Sequence, residues 1–236
     1  MTTILSISGL TKEFGELRAL DELDFQLEQG AVHGLVGPNG AGKTTLLSVL
    51  VGLRQKTHGH IQYGVSESRV MLLPDTPDFF PFLTTREVVD LARYSFRDRV
   101  DVGAVDKVIA EVGLEEVVDR RVGGFSRGMK QRLGLATVLI SEPQLLLLDE
   151  PCSALDPFGR REVLDLVSGL KGKTTVLFST HILSDVESVC DSMTVMNKGR
   201  VLYDGPIEAF TNSDTQSFED LVLELLTTDS NNQGEK

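Results

Sequence analysis

The sequence predicts an α/β fold with a mainly parallel sheet and an inserted α-helical subdomain, on three observations. Short apolar runs alternate with longer helical patterns, the arrangement of a parallel sheet covered by helices. The best of those runs, at 31–36, 145–149 and 174–179, lack the polar alternation that a one-sided sheet would show. Between Pro74 and about Ser141 the pattern turns helical, with no convincing buried strand. A chain of 236 residues, 41% hydrophobic and 25% charged, has apolar material for one good core.

Taken in order, the three apolar runs are read as buried strands at Ala31 to Val36, Leu145 to Asp149 and Thr174 to Ser179, each ending beside chemically loaded residues. Open parallel sheets bind ligands beyond the carboxyl ends of their strands, so these ends predict the active edge. Helical period appears at Thr85 to Phe96 and Val105 to Val112. Met193 to Asp204 reads as a hairpin, because Asn197, Lys198 and Gly199 separate two β-prone runs. Phe218 to Leu226 suggests a short amphipathic helix, and 227–236 is polar and aperiodic, expected as a disordered tail.

Composition narrows the partners. A formal net charge of -12 opposes a phosphate backbone or an anionic leaflet, so no nucleic-acid partner is expected. Two cysteines, Cys152 and Cys190, are too few and too far apart for a disulfide scaffold or a four-ligand zinc site, which fits a reducing compartment. No leader pattern opens the chain, and no apolar stretch approaches the roughly 20 residues that span a bilayer. A cytoplasmic protein is expected, reaching a membrane only through a partner.

The strongest motif is Gly37-Pro38-Asn39-Gly40-Ala41-Gly42-Lys43-Thr44-Thr45, which follows an apolar strand and opens a helix, as a phosphate-binding loop requires. Its glycines let backbone N–H groups turn onto phosphate oxygens, the helix N-terminus adds positive potential, and Lys43 supplies a charge to the β and γ phosphates. Thr44 would place its hydroxyl on Mg²⁺. At the exit of the second strand, Asp149 can hold Mg²⁺ through water while Glu150 accepts a proton from, or orients, the attacking water. His181, after the next strand, is placed to contact the γ phosphate or that water; the other reading is a capping or surface histidine.

With these motifs in this order, the chain resembles the ATP-binding cassette family over about residues 3 to 227. Phe14, in Thr11-Lys-Glu-Phe-Gly, matches the family's adenine-stacking aromatic, the alternative being a core phenylalanine. Gly123 to Arg132 matches the signature segment, and Ser153-Ala-Leu-Asp156 the dimer-contact loop. The resemblance implies a P-loop NTPase core, a small N-terminal antiparallel sheet, and an ATPase using ATP and Mg²⁺. It implies a homodimer, or a pair with a related ATPase subunit, in which Ser126, Arg127 and Gly128 act in trans on the partner's nucleotide. It also implies separate integral membrane subunits, docked near Phe79 to Arg86, on the inner face of the cell membrane. The alternative is a soluble cassette ATPase of a cytosolic assembly such as iron–sulfur cluster insertion. One ATPase domain, 1–226, is expected, with a nucleotide-binding core at 1–74 and 142–210, the helical subdomain at 75–141 and a C-terminal helix at 211–226.

Two departures from the family pattern stand out. The signature reads Phe-Ser-Arg-Gly-Met where Leu, Ser, Gly, Gly and Gln are common, a variant that looks like cassette subunits of drug, lipid or ion exporters. Asp75 occupies the place of a glutamine that touches Mg²⁺; it keeps an oxygen ligand and adds charge, the other reading being a turn residue before Pro77. His58 and His60 have no further ligands near them in sequence and read as surface residues.

Overall fold

A computed structural model describes residues 2–211 and 217–233. Strands β1 (Thr3–Phe14), β2 (Leu17–Glu28) and β4 (His58–Tyr63) form an antiparallel sheet in the order β2-β1-β4. The second sheet has six strands, with β3 (Val32–Val36), β5 (Val70–Leu73), β6 (Leu145–Asp149), β7 (Thr175–Thr180), β8 (Ser192–Asn197) and β9 (Arg200–Pro206) in the order β5-β6-β7-β3-β8-β9. All its pairings are parallel except the β8–β9 hairpin. Strands β3, β6 and β7 are buried along their whole length, which is why they read as continuous apolar runs. The hairpin turns through Lys198 and Gly199, both at positive φ (44° and 79°), as a two-residue loop matched to strand twist requires.

Helix α1 (Lys43–Leu50) buries Leu46, Leu47 and Leu50 among Leu5, Leu20, Leu35 and Leu147, so one apolar core joins the two sheets through α1. The segment between β5 and β6 carries α2 (Thr85–Tyr94), α3 (Ala104–Glu111) and α4 (Arg127–Leu139), the first two at the helical periods of Thr85 to Phe96 and Val105 to Val112. A capping box starts α2, with Thr84 Oγ1 accepting from Glu87 N while the Glu87 carboxylate accepts from Thr84 N. After β6 comes α5 (Pro157–Gly169), with Asp156 Oδ1 accepting from Gly159 N at 2.8 Å; α6 (Leu183–Val189) follows β7.

A short α7 (Ile207–Phe210) precedes α8 (Phe218–Gln233), which overturns the expectation of disorder from 227: the helix continues to Gln233. Phe218 and Val222 seat α8 on Val36, Val186 and Val195, and Asn197 Nδ2 donates to Asp229 Oδ2 at 2.8 Å, docking its fourth turn. Sequence periodicity misses this, because a polar side-chain contact rather than an apolar stripe holds the added turns. Residues 212–216, within the expected 211–226 helix, lie outside the described residues, as do 234–236 of the expected tail.

Candidate functional site

Sheet order assembles the site. β6, β7 and β3 are neighbours, with Asp149 opposite Ser179 and Val36 opposite Thr180, so the residues following all three strands emerge at one edge. There a cleft of about 760 Å³ is lined by Phe14, Asn39 to Thr45, Asp75, Asp149 and Glu150. The chain thus brings together most of the residues singled out in sequence.

The glycines of the 37–45 loop answer to steric need. A Cβ on Gly37 would stand 2.3 Å from the Met196 carbonyl oxygen, and Gly42, at φ 106°, would meet the Ala19 oxygen at 2.7 Å. The loop is fastened from outside as well: Gly199 N donates to Ala41 O at 2.9 Å and Asp21 N to Gly199 O at 2.8 Å.

Inside the cleft, Lys43 Nζ donates to Gly37 O at 2.6 Å and lies 3.1 Å from Glu150 Oε1. Glu150 Oε2 is 2.7 Å from His181 Nδ1, so one carboxylate is held between two basic groups. Glu150 sits at φ 45°, a left-handed conformation costing about 1 kcal/mol or more for a side-chain-bearing residue. Its amide is anchored on both the Ser179 carbonyl (3.2 Å) and hydroxyl (2.9 Å), and that hydroxyl in turn donates to Asp149 Oδ1 at 2.8 Å. Ser179 therefore orients both acids.

The donor set fits a small hard cation. Asp149 is buried, Thr44 offers a hydroxyl and Asp75 a carboxylate to the same cleft, while no group of three His, Cys, Asp or Glu side chains among the described residues could enclose a metal by itself. Mg²⁺ is bound in this way, through one or two carboxylates plus substrate phosphates and water.

Phe14 is 39% exposed at the cleft wall, with Lys12 Nζ 4.7 Å and the Arg54 guanidinium 5.2 Å from its ring centre, which excludes the core-phenylalanine reading. Ser126 and Arg127 are exposed at the start of α4, where Ser126 Oγ accepts from Met129 N at 3.2 Å. They and Gly128 do not line this cleft. Both cysteines are free; burial pushes the Cys152 thiol up to about 12, far from reactive. Sequence reasoning missed Ser179 as a support for the acids, and Arg18 and Lys198 as cleft residues. The hairpin holding Lys198 was legible, but its place beside the phosphate loop depends on β8 pairing with β3, which no local pattern reveals.

Fold and cleft define a phosphate-loop nucleotide-binding domain. The profile of the ABC transporter family matches residues 20–153. The ABC transporter ATP-binding protein YxlF of Bacillus subtilis is 41% identical over 211 residues, covering 87% of this chain and 72% of that protein. The bacitracin transport ATP-binding protein BcrA of Bacillus licheniformis is 36% identical over 219 residues, covering 88% and 71%. A solved ATP-binding subunit of an ABC transporter superposes with TM-score 0.79 at 27% identity, covering 94% of this chain and 99% of that one. The chain belongs to the ABC transporter family, as an ATP-binding subunit that hydrolyses ATP to power transport.

Proposed function

We propose that this subunit drives an exporter, and that Glu150 is the base of its ATPase site. The observation that carries the reading is the grip on Glu150: one oxygen faces Lys43 at 3.1 Å and the other faces His181 at 2.7 Å, at the mouth of the phosphate loop. Lys43 and the amides of residues 37–45 bind the β and γ phosphates. When phosphate draws Lys43 away, the freed Glu150 oxygen accepts a proton from the attacking water, with His181 holding the other oxygen. Thr44 and Asp149, the latter through water, would hold Mg²⁺ with Asp75 at its edge; bound there, the ion offsets phosphate charge. Phe14 stacks on adenine.

Two such subunits pair head to tail, so that Ser126, Arg127 and the Gly128 amide of one close on the γ phosphate of the other. The exposure of Ser126 and Arg127 at a helix N-terminus, with Gly128 half-buried beside them and all three outside their own cleft, supports this arrangement. Exporter function is supported by the Phe-Ser-Arg-Gly-Met signature and by the likeness to BcrA. The membrane subunits dock at residues 79–86, where Phe80 and Phe82 are 61% and 63% exposed and stacked at 5.6 Å. Phosphate release by Glu150→Gln tests the site: wild-type turnover would remove Glu150 from this role. Co-purification with a polytopic membrane protein tests the partner, and its absence under membrane-solubilising conditions would favour a soluble assembly.

A further inference from the structure

The helices that follow Glu150 and His181 share a charged pair that the roles above do not use. Arg160 follows Asp156 by four residues in α5, and Asp185 follows His181 by four residues in α6. Arg160 Nε donates to Asp185 Oδ1 at 2.6 Å, Nη2 lies 2.6 Å from the same oxygen, and Nη2 donates to Ser184 Oγ at 2.9 Å. Asp185 is wholly buried, and its second oxygen has no hydrogen-bond partner among the described residues. Burial raises its pKa despite Arg160, and the fields of both His181 and Glu150 reach it.

With Asp185 buried and half-satisfied, the pair is a poor stabiliser compared with apolar side chains of similar volume at both positions, although loss of Arg160 alone leaves a buried charge unpaired. What such a pair specifies is position. Helix α6 begins just after His181, where Ile182 N donates to Thr180 Oγ1 at 3.0 Å, so the rotation of α6 sets where the imidazole points. Helix α5 begins at Asp156, the end of the loop that follows Glu150. Arg160 is thus a tie between the segments following β6 and β7.

We propose that Arg160 and Asp185 are positioning residues, fixing α6 to the start of α5 so that the His181 ring stays on Glu150 and follows the 153–156 loop. The proposal rests on the reading of Glu150 and His181 given above.

The test is ATP turnover by the full chain carrying Arg160→Gln, Arg160→Lys, Asp185→Asn and His181→Ala, singly and combined, with the slow variants followed under single-turnover conditions. Arg160→Gln is expected to lower kcat ~10-fold, since a small misplacement of a catalytic group costs up to about 10²-fold. The KM for ATP stays near wild type, the Tm falls because Asp185 is left buried without its cation, and Arg160→Lys recovers part of both the rate and the Tm. In the His181→Ala background, Arg160→Gln costs nothing further, because both changes remove one contact. Should Asp185→Asn or Arg160→Gln fail to fold, Arg160→Lys, which keeps a cation opposite Asp185, still decides through its kcat in the wild-type and His181→Ala backgrounds. An equal loss in both backgrounds, a raised KM at unchanged kcat, or an unchanged kcat overturns the positioning role alone. Wild-type turnover by His181→Ala removes the role of His181 and takes the pair with it.

Discussion

Lys43 and Glu150 are paired across the mouth of the phosphate loop, Nζ to Oε1 at 3.1 Å, with both side chains largely shielded from water. The cation that should meet phosphate is thus engaged by the carboxylate that should meet water, and an arriving γ phosphate competes with Glu150 for Lys43. Glu150→Gln removes the internal competitor as well as the base. Its expected phenotype is turnover down by ~10²-fold or more with ATP bound more tightly than by wild type. Phosphate release and fluorescent-nucleotide titration measure the two; weaker binding by the variant would show that the pair does not compete with nucleotide.

Lys43→Ala has the opposite sign for affinity. A charge-assisted contact contributes about 1.5–3 kcal/mol, so ATP binding should weaken by roughly 10- to 100-fold. Calorimetry that finds wild-type affinity would count against the phosphate-loop assignment.

Glycine substitutions separate space from backbone conformation. At Gly37, whose added Cβ would press on the Met196 oxygen at 2.3 Å, alanine forces a backbone shift, with a cost of about 1–3 kcal/mol and loss of nucleotide binding. At Gly40, φ is 84° but nothing lies within 4 Å, so alanine meets only conformational strain of about 1–2 kcal/mol. Thermal melts with and without ATP should rank Gly37→Ala as the more damaging in binding; equal binding loss would show that conformation, not the Met196 contact, governs the loop.

Phe14→Ala should leave stability nearly unchanged, because the ring is half out of the core. Base–aromatic stacking contributes about 1–3 kcal/mol, so ATP affinity should fall by about 5- to 150-fold while Phe14→Tyr stays close to wild type. A large drop in Tm without loss of affinity would return Phe14 to a structural role.

The site was legible in sequence wherever one segment carries its own chemistry. Gly37 to Thr45, Asp149 with Glu150, and the signature at Ser126 each announce themselves by residue type and by place after a strand or before a helix. What stayed hidden arises from pairings between distant segments. Ser179 supports both acids only because β6 lies beside β7, and Lys198 enters the cleft only because the hairpin is tied to Ala41. Asp185 likewise sits at an unremarkable helical position, and its partner is 25 residues away.

His33 sits in β3 directly before the phosphate loop and gives the fold an acid sensitivity of calculable sign. Its ring is buried between Ser192 Oγ on Nδ1 and Thr194 Oγ1 on Nε2, each at 2.7 Å, and stacks on Phe25. Because Thr194 Oγ1 donates to Asp204 Oδ1 at 2.7 Å, it must accept from His33, so the neutral ring carries its proton on Nε2. The Asp204 carboxylate, 3.8 Å from that nitrogen, does not outweigh burial, which lowers the His33 pKa to about 3. Below the unfolded value of 6.5 the unfolded chain takes a proton that the folded chain refuses until about pH 3. Stability from this group is therefore full above pH 6.5 and lost as pH falls toward 3, by up to about 1.4 kcal/mol per pH unit. Denaturant melts between pH 7 and 4 should show a shallower decline for His33→Gln, which keeps polar contacts to Ser192 and Thr194 without a titrating ring. A variant curve parallel to wild type across that interval would exclude His33 as the source.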